Sequence, residues 1–181
     1  PWVNINVESL SDASLAQAGV SRGGHILGIT PQTESGESIF LPVSWRSQKQ
    51  RILCLSTTES EITQLSACFR ESLGLIRVMT EWLPTYVKIN ELTVHGDCHA
   101  ANLISNGECN TRKVRHLLLN QLFSRELCRE PERYGAPLKT KVKKIDTDKN
   151  SADLLTKILP ENKILPLLKF LGFRDLESLQ N

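Results

Sequence analysis

The sequence lacks any long apolar stretch. None of its segments approaches the roughly 20 consecutive apolar residues that a membrane-spanning helix needs, and no charged start followed by an apolar run marks a secretory signal. Internal repeats and low-complexity segments are missing too. We therefore predict neither a membrane partner nor a repeat architecture.

Paired cysteines are absent as well. The chain has five cysteines, an odd number, and no two of them form a C-x-x-C motif. Its four histidines do not have the spacing of zinc ligands. We therefore expect reduced thiols in an intracellular protein, and neither a disulfide framework nor a zinc site.

The chain also lacks a strong excess of charge. Its 22 Lys and Arg residues against 20 Asp and Glu residues give a net charge of +2, which is too small to predict a polyanionic partner by itself. With 40% apolar residues over 181 positions, the sequence can bury the core of one compact domain. Residue 1 is a proline, so we expect the chain to be part of a longer protein.

What the sequence does contain is organised around residues 43–65. Apolar residues around Trp45 and Ile52 indicate two strand ends, and the polar residues 46–51 between them indicate a basic turn. Trp45, like Trp82, is interpreted as a core residue rather than as a platform on which bases stack.

A strongly capped helix follows this segment. Ser56 with Glu59, and Thr58 with Glu61, have the spacing of a capping box. The apolar residues that come next, at three- and four-residue spacing, predict a helix over about 57–82 with one buried face: Ile62, Leu65, Phe69, Leu73 and Ile76. Glu61 lies in the first turn, one residue before this stripe, so it is expected at the rim of the core.

The other segments alternate between strand and helix patterns. Strands are predicted at about 3–10, 22–30, 38–45, 89–94 and 137–145, and further helices at about 100–104, 111–127, 148–158 and 164–173. Three strands in immediate succession predict antiparallel pairing, whereas strands that follow helices predict parallel pairing. We therefore predict an α/β fold of the mixed α+β type, with a five-stranded mixed sheet flanked by helices.

Four acids occur where predicted strands end or predicted helices begin: Asp12, Glu61, Asp97 and Asp153. Each has an ordinary alternative role, namely a turn former, a capping-box member, a helix cap and a first-turn acid, in that order. If the four converge, their mutual repulsion favours bound cations. Oxygen ligands suit Mg²⁺, and two such ions about 4 Å apart can activate a water and stabilise the leaving oxygen of a phosphodiester.

The local text around these acids resembles the ribonuclease H domain of copia-type (Pseudoviridae-like) long-terminal-repeat retrotransposon polyproteins. The resemblance is carried by S-W-R-S-Q-K-Q, by S-T-T-E-S-E at Glu61, by L-S-D-A-S at Asp12 and by N-S-A-D-L-L-T-K at Asp153. The match at Asp97, in G-D-C-H-A-A, is weaker. The resemblance implies a ribonuclease H-like fold over residues 1–160, with residues 161–181 as a C-terminal amphipathic helical extension.

The resemblance also implies a function. It implies a metal-dependent endonuclease that hydrolyses the RNA strand of RNA–DNA hybrids during reverse transcription, in the cytoplasm within a virus-like particle or in the nucleus. The four acids would be catalytic and would bind two Mg²⁺ ions, with Mn²⁺ as a substitute, while Glu59 would be left to cap the helix. The expected partners are an RNA–DNA hybrid and the reverse transcriptase domain of the same polyprotein.

Basic residues suggest where a nucleic acid would bind. They are Arg46, Lys49 and Arg51 before the long helix, and Arg112, Lys113 and Arg115 further along the chain. In the family that the sequence resembles, two amide side chains stand at the positions of Cys98 and His99 and help to position the nucleic-acid backbone. The lysines of the last strand would contact phosphates or, equally well, protect a sheet edge.

A second function from another class stays open. The substitutions at Cys98 and His99 and the modest net charge are compatible with a domesticated or degenerate ribonuclease H-like module that binds nucleic acid or protein without cleaving. The segment before Asp153, K-I-D-T-D-K-N, has no histidine of the kind that many ribonucleases H carry. Because copia-type domains commonly lack this histidine, its absence alone does not imply inactivity.

Overall fold

The computed structural model describes residues 3–15, 21–32, 39–109 and 122–174. Five strands form one sheet in the order β3-β2-β1-β4-β5. Their bounds are β1 (Val3–Ser14), β2 (Arg22–Pro31), β3 (Leu41–Lys49), β4 (Val87–Gly96) and β5 (Lys139–Lys144). The first three strands pair antiparallel, whereas β4 pairs parallel with both β1 and β5. The predicted five-stranded mixed sheet is confirmed.

This pairing brings two strand ends together. Because β1 and β4 run parallel and are neighbours, their carboxyl ends lie at the same edge of the sheet. Asp12 lies near the end of β1, and Asp97 follows the last residue of β4.

In the described residues four α-helices accompany the sheet: α1 (Thr57–Trp82), α2 (His99–Ser105), α3 (Phe123–Arg129) and α4 (Glu161–Phe170). The bounds of α1 are those that its apolar periodicity and caps predict. The Ser56 hydroxyl accepts from the backbone N–H of Glu59 at 3.2 Å, and the Glu59 carboxylate accepts from the backbone N–H of Leu55. Both side chains thus serve the start of the helix.

The main core lies between α1 and one face of the sheet. Its fully buried members include Val7, Ile62, Phe69, Leu92 and Val94. A smaller cluster of Leu10, Ile26, Ala152 and Leu171 joins β1 and β2 to the segment after β5 and to the end of α4. The sheet is therefore covered on both faces at the end where Asp12 lies.

Phe69 gives a test of this packing. It is the largest fully buried side chain among the described residues, so Phe69→Ala is expected to lower the free energy of unfolding by about 3–5 kcal/mol. Trp82→Ala, on the same helix but with an 82% exposed side chain, is expected to change it by less than about 0.5 kcal/mol. Urea denaturation of both variants checks this, and equal losses would contradict the core described above.

The basic turn predicted at residues 46–51 is wrong for most of its length. β3 continues through Arg46 to Lys49, because each of these residues pairs with β2, up to Lys49 opposite Arg22. The interpretation of Trp45 and Trp82 as core residues is also wrong, since their side chains are 65% and 82% exposed. Trp45 lies on the edge strand β3 and Trp82 is the last residue of α1, and no other element covers these side chains in the described residues. Local sequence does not reveal such positions.

Two other predicted segments need correction or lie partly outside the description. The helix predicted over 148–158 is replaced by two short 3-10 helices, Thr147–Lys149 and Ser151–Leu155. Of the helix predicted over 111–127, residues 111–121 lie outside the described residues, and residues 123–127 belong to α3. A further 3-10 helix, Pro131–Tyr134, follows α3.

Two sequence expectations concern cysteines and membranes. All five cysteines are free thiols. In the parts of the chain that the structure describes, no helix is both long and apolar enough to cross a bilayer.

Candidate metal centre

Three carboxylates meet where β1 and β4 end. One ligand oxygen each from Asp12, Glu61 and Asp97 lies within 4.8 Å of the other two. They come from β1, from the first turns of α1 and from the residue that follows β4. Asp12 and Glu61 are buried, while Asp97 is half-buried. The backbone N–H of Ala13 donates to Glu61 Oε1 at 3.3 Å and so ties the helix start to the end of β1.

Asp153 joins this group through a lysine. The Lys157 ammonium lies 3.1 Å from Asp12 Oδ1 and 2.9 Å from Asp153 Oδ1. These two carboxylate oxygens can therefore be no farther apart than the two distances combined. All four acids singled out in the sequence lie in one neighbourhood.

The short 3-10 helix that carries Asp153 is anchored on β1. The Asn150 side chain donates to the backbone carbonyl of Ser11 at 2.9 Å and accepts from the backbone N–H of Ala152 at 3.2 Å. A residue with both a donor and an acceptor can make both bonds at once. Asn150 thus fixes the start of this turn one residue away from Asp12.

Asp97 does not cap α2, which was its alternative role. The cap position of α2 is held by Cys98, and the Asp97 carboxylate accepts from the Thr147 hydroxyl at 3.1 Å. The side chain is thereby directed toward the segment that leads to Asp153.

The electrostatics of the cluster favour uptake of positive charge. Burial, then the charges of Asp12 and Asp97, raise the pKa of Glu61 to about 9. Burial is also the main cause that raises the pKa of Asp153 to about 6, and the charge of Asp12 adds to it. Burial beside two other acids thus favours the protonated form of Glu61 when no cation is bound.

Two residues of this site were missed at the sequence level. Lys157 bridges two of the acids, and the Thr156 hydroxyl donates to Asp12 Oδ2. Although burial acts against it, hydrogen bonding to Asp153 and the charges of both acids raise the pKa of Lys157. The signal was present, since both residues stand in the quoted motif N-S-A-D-L-L-T-K and Lys157 is four residues beyond Asp153.

The residues predicted to contact nucleic acid are distributed unevenly. Lys49, the last residue of β3, and Arg51, two residues later, are both exposed. Gln50, between them, donates to the backbone carbonyl of Ser60 at 2.8 Å, which places this basic pair next to the start of the helix that carries Glu61.

Most of the other residues predicted to contact nucleic acid are paired, partly buried or outside the described residues. Arg46 forms an ion pair with Glu71 on α1, and Cys98 is half-buried against the main core. His99 is exposed at the start of α2. Arg112, Lys113 and Arg115 lie outside the described residues.

Two lysines of β5 form ion pairs with an acid on the neighbouring strand, and their side chains stay 43% and 47% exposed. Lys141 and Lys143 lie 3.0 and 3.2 Å from Glu91 on β4. With one carboxylate shared between two ammonium groups, this patch keeps a net positive charge but holds its side chains in place.

No protein-family model matches the chain. The retrovirus-related Pol polyprotein from transposon TNT 1-94 of Nicotiana tabacum is 31% identical over 121 residues, which is 67% of this chain. The chain spans only 8% of that polyprotein's length.

Two solved structures resemble the fold. LC11-RNase H1 in complex with an RNA/DNA hybrid has a TM-score of 0.50 at 16% identity, over 84% of this chain and 93% of that one. The PFV RNase H domain has a TM-score of 0.41 at 11% identity, over 93% and 90% of the two chains.

The sheet order, the arrangement of helices and the first of these structural matches define a ribonuclease H-like fold. The match to the tobacco Pol polyprotein relates the chain to retrotransposon polyproteins. The chain belongs to the family of ribonuclease H domains of copia-type retrotransposon polyproteins.

Proposed function

We propose that this domain hydrolyses the RNA strand of RNA–DNA hybrids, with divalent cations held by Asp12, Glu61, Asp97 and Asp153. The observation that carries the proposal is the cluster of Asp12, Glu61 and Asp97, whose ligand oxygens lie within 4.8 Å of one another. Three acids at this distance can all be ionised only when positive charge compensates them.

The donor set fits a hard divalent cation. Carboxylate oxygens are the ligands that Mg²⁺ prefers, and Mn²⁺ accepts the same set. Asp12, Glu61 and Asp97 would hold one ion, and Asp12 with Asp153 would hold the second. When bound, such a pair of ions supplies an activated water and stabilises the leaving oxygen.

The chain's own residues have separate tasks in this proposal. Asp12 is buried, and hydrogen bonds from Thr156 and Lys157 fix the orientation of its carboxylate. Glu61 carries a proton at neutral pH, since its pKa is raised to about 9, and it gives up this proton when positive charge enters the site. The exposed Lys49 and Arg51 would attract the phosphates of the substrate.

The comparisons support the choice of substrate. The solved structure of LC11-RNase H1 contains an RNA/DNA hybrid, and the tobacco relative is a retrovirus-related Pol polyprotein. From these we infer a hybrid as the substrate, reverse transcription as the process and the reverse transcriptase domain of the same polyprotein as a partner. The 2′-hydroxyl is the group that separates RNA from DNA at a given position.

A cleavage assay tests the proposal. Matched RNA–DNA, RNA–RNA and DNA–DNA duplexes are incubated with the protein in Mg²⁺ and in EDTA. We expect the RNA strand of the hybrid to be cut in Mg²⁺ with slight sequence preference, the DNA strand to stay intact, and EDTA to stop the reaction.

A non-cleaving binding module is the second candidate, and one observation favours it. Arg46, Lys141 and Lys143, which would otherwise contact phosphates, pair with acids of the protein itself. If the hybrid binds in a salt-dependent manner but is never cut with any divalent metal, this second function replaces the first.

A further inference from the structure

Lys157 connects two acids that are far apart in the sequence. Its ammonium lies 3.1 Å from Asp12 Oδ1 and 2.9 Å from Asp153 Oδ1, while both carboxylates are buried. Lys157 itself is 34% exposed. One end of this side chain thus lies among the acids, and part of it reaches solvent.

The local backbone holds Lys157 in this position. Its backbone N–H donates to the carbonyl of Asp153 at 2.9 Å, which closes one turn of chain between the two residues. The neighbouring Thr156 hydroxyl donates to the other oxygen of Asp12. Two consecutive residues therefore bind the same carboxylate, which sets this lysine apart from a mobile surface side chain.

Surface ion pairs nearby provide a contrast. Lys149 lies 3.3 Å from Asp146, but both side chains are highly exposed, at 75% and 70%. Exposed pairs of this kind contribute little because water and salt screen them. The ammonium of Lys157 instead faces two desolvated carboxylates, where an unpaired charge is costly.

We propose that Lys157 is an internal counter-ion that positions Asp12 and Asp153 and competes with a divalent cation for their oxygens. This inference rests on the proposed function, because it concerns the same four acids. An ammonium and a divalent ion within a few ångströms of the same oxygens repel each other strongly. A cation can therefore bind the Asp12–Asp153 pair only after the Lys157 side chain has moved toward solvent.

The three-carboxylate cluster and the Asp12–Asp153 pair then differ in their affinity for a cation before substrate binds. Lys157 contacts both acids of the Asp12–Asp153 pair but only one acid, Asp12, of the three-carboxylate cluster, so it competes most strongly for a cation bound by the pair. Glu61 and Asp97 supply the other two ligand oxygens of the three-carboxylate cluster. Substrate-free protein takes up one cation readily at this cluster and a second one weakly.

Calorimetric titration of MnCl₂ into the full chain tests the competition. Lys157→Met is expected to bind Mn²⁺ about tenfold more tightly, or with one additional ion, which is within the usual range of coupling between two sites. Lys157→Arg keeps the positive charge and is expected to resemble the wild type. Lys149→Met is the matched control, because it removes one lysine charge from an exposed pair and should leave Mn²⁺ affinity unchanged.

A second measurement, on the wild-type protein, tests the same competition if Lys157→Met does not fold. Lysine acetylation by an amine-reactive reagent is followed by mass spectrometry in EDTA and in Mn²⁺. Displacement predicts that Lys157 reacts several-fold faster in Mn²⁺, whereas Lys149 reacts at the same rate in both.

The outcomes separate this inference from the proposed function. If wild type binds Mn²⁺ and cuts the hybrid, but Lys157→Met binds Mn²⁺ no more tightly and Lys157 acetylation does not respond to Mn²⁺, only the role of Lys157 is overturned. If neither wild type nor any variant binds Mn²⁺, the metal centre fails and the Lys157 inference fails with it.

Discussion

Glu61→Gln is expected to reduce cleavage of an RNA–DNA hybrid by at least about 100-fold, as when a group that stabilises transition-state charge is lost, and to leave the protein folded. The amide has the same shape and can still accept from the backbone N–H of Ala13. It is neutral, as the protonated Glu61 side chain is at neutral pH. However, it cannot become a carboxylate and so cannot contribute charge to a metal ion.

Glu59→Ala is the matched control for this change, two residues earlier on the same helix. Glu59 accepts from the backbone N–H of Leu55 and lies at the capped start of α1. Its loss is expected to cost on the order of 1 kcal/mol of stability and to leave the cleavage rate of the folded protein intact. Thermal melts and cleavage rates of both variants decide the matter, and an equal loss of activity in the two would show that the wrong glutamate has been assigned.

In EDTA, the free energy of unfolding is expected to fall steadily as the pH rises from about 5 to about 9. The pKa of Glu61 is raised from 4.5 to about 9 by burial first and by Asp12 and Asp97 next. Between these values the folded state holds a proton that the unfolded state has released, so raising the pH favours unfolding. The slope approaches about 1.4 kcal/mol per pH unit where the two states differ by one whole proton.

Urea denaturation at several pH values measures this slope. Asp153, with its pKa raised to about 6, adds to the loss only at the lower end of the range. Glu61→Gln removes the main titrating group and is expected to flatten the curve, and Mn²⁺ is expected to restore stability at high pH. A metal-free wild type that becomes more stable between pH 5 and 9 would contradict the electrostatics described for the cluster.

Local sequence was sufficient for the parts of the fold that local forces determine. The bounds of α1 follow from Ser56 at its start, Pro84 after its end and the apolar stripe between them. The order of strand and helix patterns was sufficient for the mixed sheet, because a helix between two strands allows them to pair parallel. Positions next to such boundaries made the four acids candidates, and the resemblance to the ribonuclease H domains selected them.

Features that depend on distant partners were not predictable in this way. Residues 46–49 are polar, yet they form a strand because β2 supplies their hydrogen bonds. The turn that carries Asp153 is held by Asn150 on the carbonyl of Ser11, a contact across 139 residues. Lys157 was overlooked for the same reason, since its second partner, Asp12, is 145 residues away.

These sequence distances also determine when the four acids can come together. They belong to the first strand, the first helix, the segment after the fourth strand and the turn after the fifth. Contacts between such distant residues form late, after the intervening chain has been ordered. A chain emerging from the ribosome has no complete set of four acids until Asp153 has been released from the exit tunnel. Any reaction that needs all four acids therefore cannot occur while the domain is being synthesised. It can begin only after the complete domain has folded.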